Sequence, residues 1–251
     1  MFDIPILHVK DFSTDLVDSL NTDISKEYDR RLLVDNPNDL YRKLSVYDKD
    51  GNHAAKTGDF TTPFKNISQI DELEKRIRVH AINYLKQCSS MSDIQEKLLL
   101  QHWHHFGWWS CFQNSDSYDY HSHPQFQLVC TYYVNATEGH APISFKHPIS
   151  DVLEAWCPGQ PNLNLEEVIL PKTGDLLIWM PFLEHYVMDY KSYMTQLQSG
   201  TFGERALKHS KDFDYEQKTA DVINSIDCRK SITIGYQKLS QQNLGYLNQG
   251  K

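Results

Sequence analysis

The segment Tyr120-His121-Ser122-His123-Pro124 leads into an apolar run, Leu128-Val129-Cys130-Thr131-Tyr132-Tyr133-Val134. The run is rich in β-branched and aromatic residues, which favour a strand. Side chains two residues apart in an extended segment lie on one face, so we expect His121 and His123 to point together from the mouth of this strand. Imidazole nitrogens in this arrangement suit a metal ion such as iron.

Comparable runs recur through the second half of the chain, separated by turn signals such as Lys172-Thr173-Gly174-Asp175. We predict strands at Gln101–Phe112, Gln127–Val134, Ala141–Phe145, Glu167–Leu170, Asp175–Met180, His185–Met188 and Lys230–Gln237. Many short strands with turns between them indicate a mainly β protein, built as an antiparallel sandwich or jelly roll.

The N-terminal part of the chain has a different pattern. Apolar residues at helical spacing predict helices at Asp15–Arg31 and Ser68–Gln87, which we expect to pack on the β core. Between them, residues 35–63 are rich in Asn, Asp, Gly and Lys and indicate a loop. The chain is therefore expected to begin helical and to become β-rich.

Length and composition narrow the class of protein. A chain of 251 residues predicts a single domain over 1–251, with a helical and loop region over 1–97 and a core over 98–238. The 33 acidic residues outnumber the 25 Lys and Arg, and no basic run could follow a phosphate backbone, so no nucleic-acid partner is expected. No segment approaches the roughly 18 apolar residues of a spanning helix, so no membrane partner is expected. Five cysteines without a Cys-x-x-Cys spacing fit a reducing, cytoplasmic setting.

Two later segments complete the pattern that the histidine pair begins. Pro181-Phe182-Leu183-Glu184-His185 adds a third imidazole, and Cys228-Arg229-Lys230-Ser231-Ile232-Thr233-Ile234 reads as a strand. Three ligands on one face of an octahedron leave the opposite face open, as in non-haem iron oxygenases. Arg229 and Ser231 share a strand face, and a guanidinium can pair with a carboxylate through two hydrogen bonds.

In their order and local composition, these motifs resemble those of the Fe(II)/2-oxoglutarate-dependent dioxygenase superfamily. More narrowly, the chain is similar to 2OG-Fe(II) oxygenases with the motifs His-x-His-Pro, a Val-Tyr-Tyr-Val-like strand, Pro-x-x-Gly-Asp-Leu-Leu, Pro-x-x-x-His and Arg-x-Ser-Ile-Ser. The resemblance covers about Trp109 to Gln237 and implies a double-stranded β-helix, a cupin-like jelly roll, with Fe(II) at one end of the barrel. It also implies consumption of 2-oxoglutarate and O2, hydroxylation of an unidentified small-molecule or peptidyl substrate, and release of succinate and CO2.

When the motifs are matched position by position, the resemblance implies that His121, His123 and His185 bind the metal. It implies in the same way that Arg229 and Ser231 hold the distal carboxylate of 2-oxoglutarate. This assignment departs from the superfamily's usual first motif, His-x-Asp, because a histidine stands where the aspartate is expected. The narrower resemblance, to the oxygenases with a His-x-His-Pro motif, favours a ligand set of three histidines.

Two assignments around this site stay open at the level of sequence. The carboxylate of the usual motif could come from Asp119, two residues before His121, or from Glu184, which is less favoured because it should face away from the neighbouring histidine. We assign Tyr132 to the cosubstrate carboxylate, although Tyr133 could take that place and either tyrosine could simply pack in the core.

The polar segment Asp189–Asp227 separates the third histidine from the arginine strand. Insertions of this length beside a site are often lids, which predicts a lid over residues 189–227. Two other functions are compatible with the same residues: a cupin-like three-histidine iron dioxygenase that does not use 2-oxoglutarate, and a non-catalytic jelly-roll binding protein.

Overall fold

The computed structural model describes residues 5–33, 46–47, 53–57, 67–89, 92, 96–97, 103–112, 117–137, 139–140, 142–156, 165–198 and 229–238. The strands are β1 Ile6–Val9, β2 Val46–Tyr47, β3 His53–Thr57, β4 Trp103–Phe112, β5 Tyr118–His121, β6 Leu128–Asn135, β7 Ile143–Lys146, β8 Glu166–Ile169, β9 Leu176–Trp179, β10 His185–Val187 and β11 Arg229–Lys238. The α-helices are α1 Val17–Leu33, α2 Ile70–Cys88, α3 Ser150–Trp156 and α4 Tyr190–Gln198.

These strands form two antiparallel sheets. A seven-stranded sheet has the order β1-β9-β6-β11-β4-β3-β2, and a four-stranded sheet has the order β5-β10-β7-β8. The prediction of a mainly β protein is confirmed, and the two sheets with few helices are consistent with a jelly roll. Among the described helices, none is long and apolar enough to cross a membrane.

Strand β6 is buried on both of its faces. Leu128, Cys130 and Tyr132 belong to the apolar cluster that also contains residues of α1 and α2, whereas Val129 and Tyr133 belong to the cluster between the two sheets. Because successive side chains alternate, each face of the strand meets its own apolar partner. This double burial explains why apolar residues occur at both odd and even positions of β6 instead of alternating with polar ones.

The two long helices lie against the outer face of the seven-stranded sheet. Leu20 and Ile24 of α1 and Leu73 and Ile77 of α2 have no exposed surface and share a cluster with β6, β9 and β11. Complete burial of such a side chain contributes about 1.5 to 3 kcal/mol. These contacts cover one face of the seven-stranded sheet. The opposite face of the sheet is therefore available to line a functional site.

The turn before β9 contains a glycine that the backbone requires. Gly174 has φ +90°, a backbone conformation that residues with a Cβ rarely adopt. A Cβ added at this position would lie 2.9 Å from Cγ2 of Thr14. The next residue, Asp175, is buried and accepts hydrogen bonds from the backbone N–H of Lys172 and from His8. The tight turn predicted at residues 172–175 is present.

Two regions differ from the sequence-based prediction or extend beyond it. Residues 35–63 were predicted to be loop, but β2 and β3 lie within them and β3 pairs with β4, at Lys56 with Cys111 and at Thr57 with Ser110. The pairing depends on backbone hydrogen bonds with a distant strand, which local composition does not reveal. Of the predicted lid, residues 199–227 lie outside the described residues, and α4, at its start, packs against Val168 of β8.

Candidate metal centre and adjoining cavity

Three imidazoles meet where the four-stranded sheet borders the space between the sheets. His121 ends β5 and lies directly opposite His185, the first residue of β10. His123 follows two residues after β5, and its N–H donates to the carbonyl of Pro181, at 2.9 Å, which ties it to the loop before β10. One ligand atom from each of the three rings lies within 4.8 Å of the others, so the three can share one metal ion.

The backbone fixes which nitrogen of two of these rings can bind a metal. Nδ1 of His121 lies 2.8 Å from the carbonyl oxygen of Asp119, and Nδ1 of His185 lies 3.0 Å from that of Leu183. A carbonyl oxygen only accepts hydrogen bonds, so Nδ1 carries the proton in both rings. Nε2 therefore keeps its lone pair, and the carbonyls orient the rings as metal ligands require.

The surroundings keep all three imidazoles neutral. Burial lowers the pKa of His121 to about 4. Burial, with the nearby His121, lowers the pKa of His123 to about 3. The pKa of His185 lies well below its ordinary value for the same reasons. A neutral imidazole is the form that binds a metal, so this donor set fits Fe(II) near pH 7.

Among the described residues, no carboxylate joins the three rings as a possible ligand. The side chain of Asp119 is exposed, although its carbonyl orients His121. The carboxylate of Glu184 is also exposed and lies 3.9 Å from Nζ of Lys146. Neither of the two acids considered from the sequence therefore belongs to the cluster of possible ligands.

The imidazoles line a cavity of about 370 Å³ that Arg229 and Ser231 of β11 line as well. Arg229 is buried, and its guanidinium carbon lies 4.7 Å from the ring centre of Phe112 and 5.7 Å from that of Tyr133. Burial lowers the pKa of Arg229, yet an arginine keeps its charge in proteins. The cavity thus combines a nitrogen donor set with a buried cation.

The structure corrects the assignment of Tyr132 to the cosubstrate. Its hydroxyl donates to the carbonyl of Ser13, at 2.7 Å, on the helix side of the sheet. Tyr133, one residue later, lines the cavity and lies directly opposite Ser231 in the β6–β11 pair. Directly paired residues share a sheet face, so the register with Ser231 is the signal that distinguishes the two tyrosines.

The exchange of Tyr132 for phenylalanine tests this correction. We expect Tyr132→Phe to lower the free energy of unfolding by about 1 kcal/mol, because a buried hydrogen bond is lost. On the use of 2-oxoglutarate that the resemblance implies, the variant should bind this cosubstrate as tightly as the wild-type protein, whereas Tyr133→Phe should bind it more weakly. Denaturant unfolding and calorimetric titration measure the two quantities. Weaker cosubstrate binding by Tyr132→Phe alone would restore the original assignment.

Several cavity residues were not anticipated from the sequence. Thr131 and Thr233 face each other across β6 and β11, with 2.8 Å between their hydroxyl oxygens. Ser110 of β4 lies opposite Ser231 and lines the same cavity. The ring of Trp108 lies 5.3 Å from that of His123, centre to centre, with the two planes tilted. The pairing of β4 and β6 with β11 brings these side chains to one face, and local patterns do not encode that pairing.

Comparisons with known proteins agree with this architecture. AviO1 from Streptomyces viridochromogenes Tue57 superposes with a TM-score of 0.52 and 9% identity, over 90% of this chain and 86% of its own. The non-heme alpha ketoglutarate dependent carbocyclase SnoK from nogalamycin biosynthesis superposes with a TM-score of 0.50 and 8% identity, over 99% of this chain and 87% of its own. The chain shares its fold with both. No protein-family model and no curated protein matches the sequence.

The structural similarity agrees with the resemblance recognised in the sequence. SnoK, one of the proteins that share this fold, is by its name a non-heme alpha ketoglutarate dependent enzyme. The histidines at positions 121, 123 and 185, identified by their motifs, lie close enough together to hold a metal ion. At 8–9% sequence identity, this similarity shows the fold alone and does not identify a substrate or a reaction.

Proposed function

We propose that this protein is a non-haem Fe(II)- and 2-oxoglutarate-dependent dioxygenase that hydroxylates a small-molecule or peptidyl substrate with release of succinate and CO2. The observation that carries the proposal is one cavity lined both by three neutral imidazoles and by a buried guanidinium. A metal ion and a dicarboxylate can bind there together. On this proposal the two sheets form the double-stranded β-helix of a single oxygenase domain.

Five polar residues of the cavity have a defined part in this proposal. His121, His123 and His185 hold Fe(II), which when bound supplies the oxygen chemistry needed to hydroxylate a C–H bond. The planar fork of Arg229 pairs with the distal carboxylate of 2-oxoglutarate, and the hydroxyl of Ser231 donates a further hydrogen bond. A buried guanidinium is suited to this pairing, since charge-assisted hydrogen bonds are strongest where water is excluded.

The apolar wall of the cavity supports a reaction carried out away from water. Trp179 has its ring centre 5.1 Å from that of His185, and Trp108 lies 5.3 Å from His123. Ile143 and Val187 line the same space. Apolar side chains around the metal ligands exclude competing water and leave room for the part of a substrate that carries a C–H bond.

Anaerobic loading with Fe(II) tests the proposal. The protein should bind one equivalent of iron and, on exposure to air, convert 2-oxoglutarate to succinate at a rate that depends on the metal. This uncoupled turnover can be measured without knowing the prime substrate. Iron binding without any succinate would contradict the proposed use of 2-oxoglutarate.

A second candidate function follows from the composition of the donor set. Within the described part of the chain the set contains three histidines and no carboxylate, which also suits an iron dioxygenase that oxidises its substrate directly. Oxygen uptake without succinate release would support this candidate. Absence of stoichiometric iron would instead support a non-catalytic binding protein.

The variant Asp119→Asn tests the remaining acid ligand. We expect it to bind Fe(II) as tightly as the wild-type protein, because the Asp119 side chain is exposed and the hydrogen bond to His121 is made by the backbone carbonyl. Calorimetric titration with Fe(II) or Mn(II) under nitrogen measures the affinity. A loss of roughly tenfold or more, the scale of a disturbed metal shell, would identify Asp119 as a ligand.

A further inference from the structure

Gly235 of β11 lies on the cavity face of the sheet, in step with Ser231 and Thr233, and the ring of Phe126 covers its backbone. A Cβ at residue 235 would lie 2.5 Å from Cδ2, 2.6 Å from Cε2 and 2.6 Å from Cγ of that ring. Carbon atoms in contact are separated by about 3.5 to 4.0 Å. The ring and a side chain at position 235 therefore cannot occupy this space together.

Phe126 is coupled through the backbone to His123. Its N–H donates to the carbonyl of His123, at 3.0 Å, which closes a β-turn with Pro124 at the second position, where proline is favoured. The following N–H, of Gln127, donates to the carbonyl of Tyr236, at 2.7 Å. The turn that carries His123 is thus fastened to β11 beside the ring of Phe126.

Ring contacts couple the same residues a second time. The ring centres of Phe126 and Trp108 are 6.1 Å apart, with their planes within 22° of each other. Those of Trp108 and His123 are 5.3 Å apart, and those of Phe126 and His123 are 6.2 Å apart. A displaced Phe126 ring would therefore shift both the backbone turn and the aromatic surroundings of His123.

We propose that Gly235 is a positioning residue for the metal ligand His123. The space left by the missing side chain lets Phe126 hold the turn where the His123 imidazole meets those of His121 and His185. This inference rests on the proposed function in one respect, since it requires His123 to bind the metal. A glycine inside a strand otherwise weakens that strand, and the close approach of Phe126 gives its presence a physical reason.

Titration with Co(II) tests the proposal, because cobalt binds to imidazole and its visible absorption reports the ligand geometry. We expect Gly235→Ala to weaken Co(II) binding by roughly tenfold or more, as disturbed support of a ligand does, and to change the spectrum. Gly174→Ala is the matched control. It introduces a comparable contact, with Thr14 in the turn before β9 and not with a ring beside His123, so it should lower the unfolding temperature and leave Co(II) affinity and spectrum unchanged.

Two double-mutant cycles separate positioning from general damage to the fold. In a Phe126→Ala background, Gly235→Ala should cause no further loss of Co(II) affinity, because the ring that it displaces is gone. In a His123→Ala background, Gly235→Ala should likewise cause no further loss of Co(II) affinity, because the metal ligand that the substitution displaces is absent. An equal loss in all three backgrounds would overturn the proposal.

The remaining outcomes are also decisive. If Gly235→Ala does not fold, Phe126→Ala alone should still weaken Co(II) binding and change its spectrum, and an unchanged spectrum there would overturn the proposal. Wild-type affinity and spectrum in folded Gly235→Ala would overturn it while the proposed function stands. A wild-type protein that binds no Co(II) or Fe(II) would overturn the proposed function and this inference together.

Discussion

Replacing His185 with alanine is expected to abolish stoichiometric iron binding and, with it, the formation of succinate from 2-oxoglutarate. His185 is buried, lies directly opposite His121 in the β5–β10 pair, and has its Nδ1 hydrogen bonded to the carbonyl of Leu183, so Nε2 is available to the metal. Changing residues that merely support a ligand costs about 10- to 100-fold in metal affinity, so loss of the ligand itself should cost at least roughly 100-fold.

The neighbouring residue provides the control for this experiment. Glu184→Ala changes an exposed side chain whose carboxylate faces Lys146, so the variant should bind Fe(II) like the wild-type protein. His185→Gln keeps a side chain in the buried space and separates loss of the ligand from loss of packing. Iron titration and circular dichroism of all three variants distinguish these effects. Undiminished iron binding by folded His185→Ala would remove His185 from the metal site.

Replacing Arg229 with alanine is expected to raise the KM for 2-oxoglutarate by roughly 100-fold, since truncating one partner of a buried charge pair costs about 2 to 5 kcal/mol. Arg229→Lys should also bind the cosubstrate weakly, because an ammonium lacks the planar fork that pairs with a carboxylate. Iron binding should stay unchanged in both variants. The measurements are succinate formation at varied 2-oxoglutarate and a separate metal titration.

Lys230 offers a control on the same strand with the opposite orientation. Its Nζ donates to Oδ1 of Asn21 and Oγ of Ser25, both at 2.8 Å, on the helix side of the sheet. Lys230→Met should therefore lower the unfolding temperature without changing the KM for 2-oxoglutarate. An equal rise of KM in Lys230→Met and Arg229→Ala would show that the strand, rather than the guanidinium, is responsible.

Local sequence signals predict the strands well but leave their facing directions open. The run of β6 shows the strand, yet both faces of that strand are buried, so no alternation shows whether Tyr132 or Tyr133 faces the cavity. The pairing with Ser231 decides between them. A strand with one exposed face would have made the distinction readable from the sequence.

The site itself depends on contacts between residues that are distant in sequence. The two-residue spacing of His121 and His123 predicts that they lie together, but only the antiparallel pairing of β5 with β10 brings His185 to them. Recognition of the ordered motifs anticipated this proximity, whereas helical or strand periodicity could not. The contact of Gly235 with Phe126 leaves no local signal, since it requires a turn and a distant strand to meet.

The most direct test of the proposed function is the structure of crystals grown without oxygen in the presence of Fe(II) and 2-oxoglutarate. We expect one iron bound by His121, His123 and His185, with the distal carboxylate of 2-oxoglutarate paired to Arg229. Coordination by a carboxylate side chain in place of His123, or 2-oxoglutarate bound away from Arg229, would refute the proposed site.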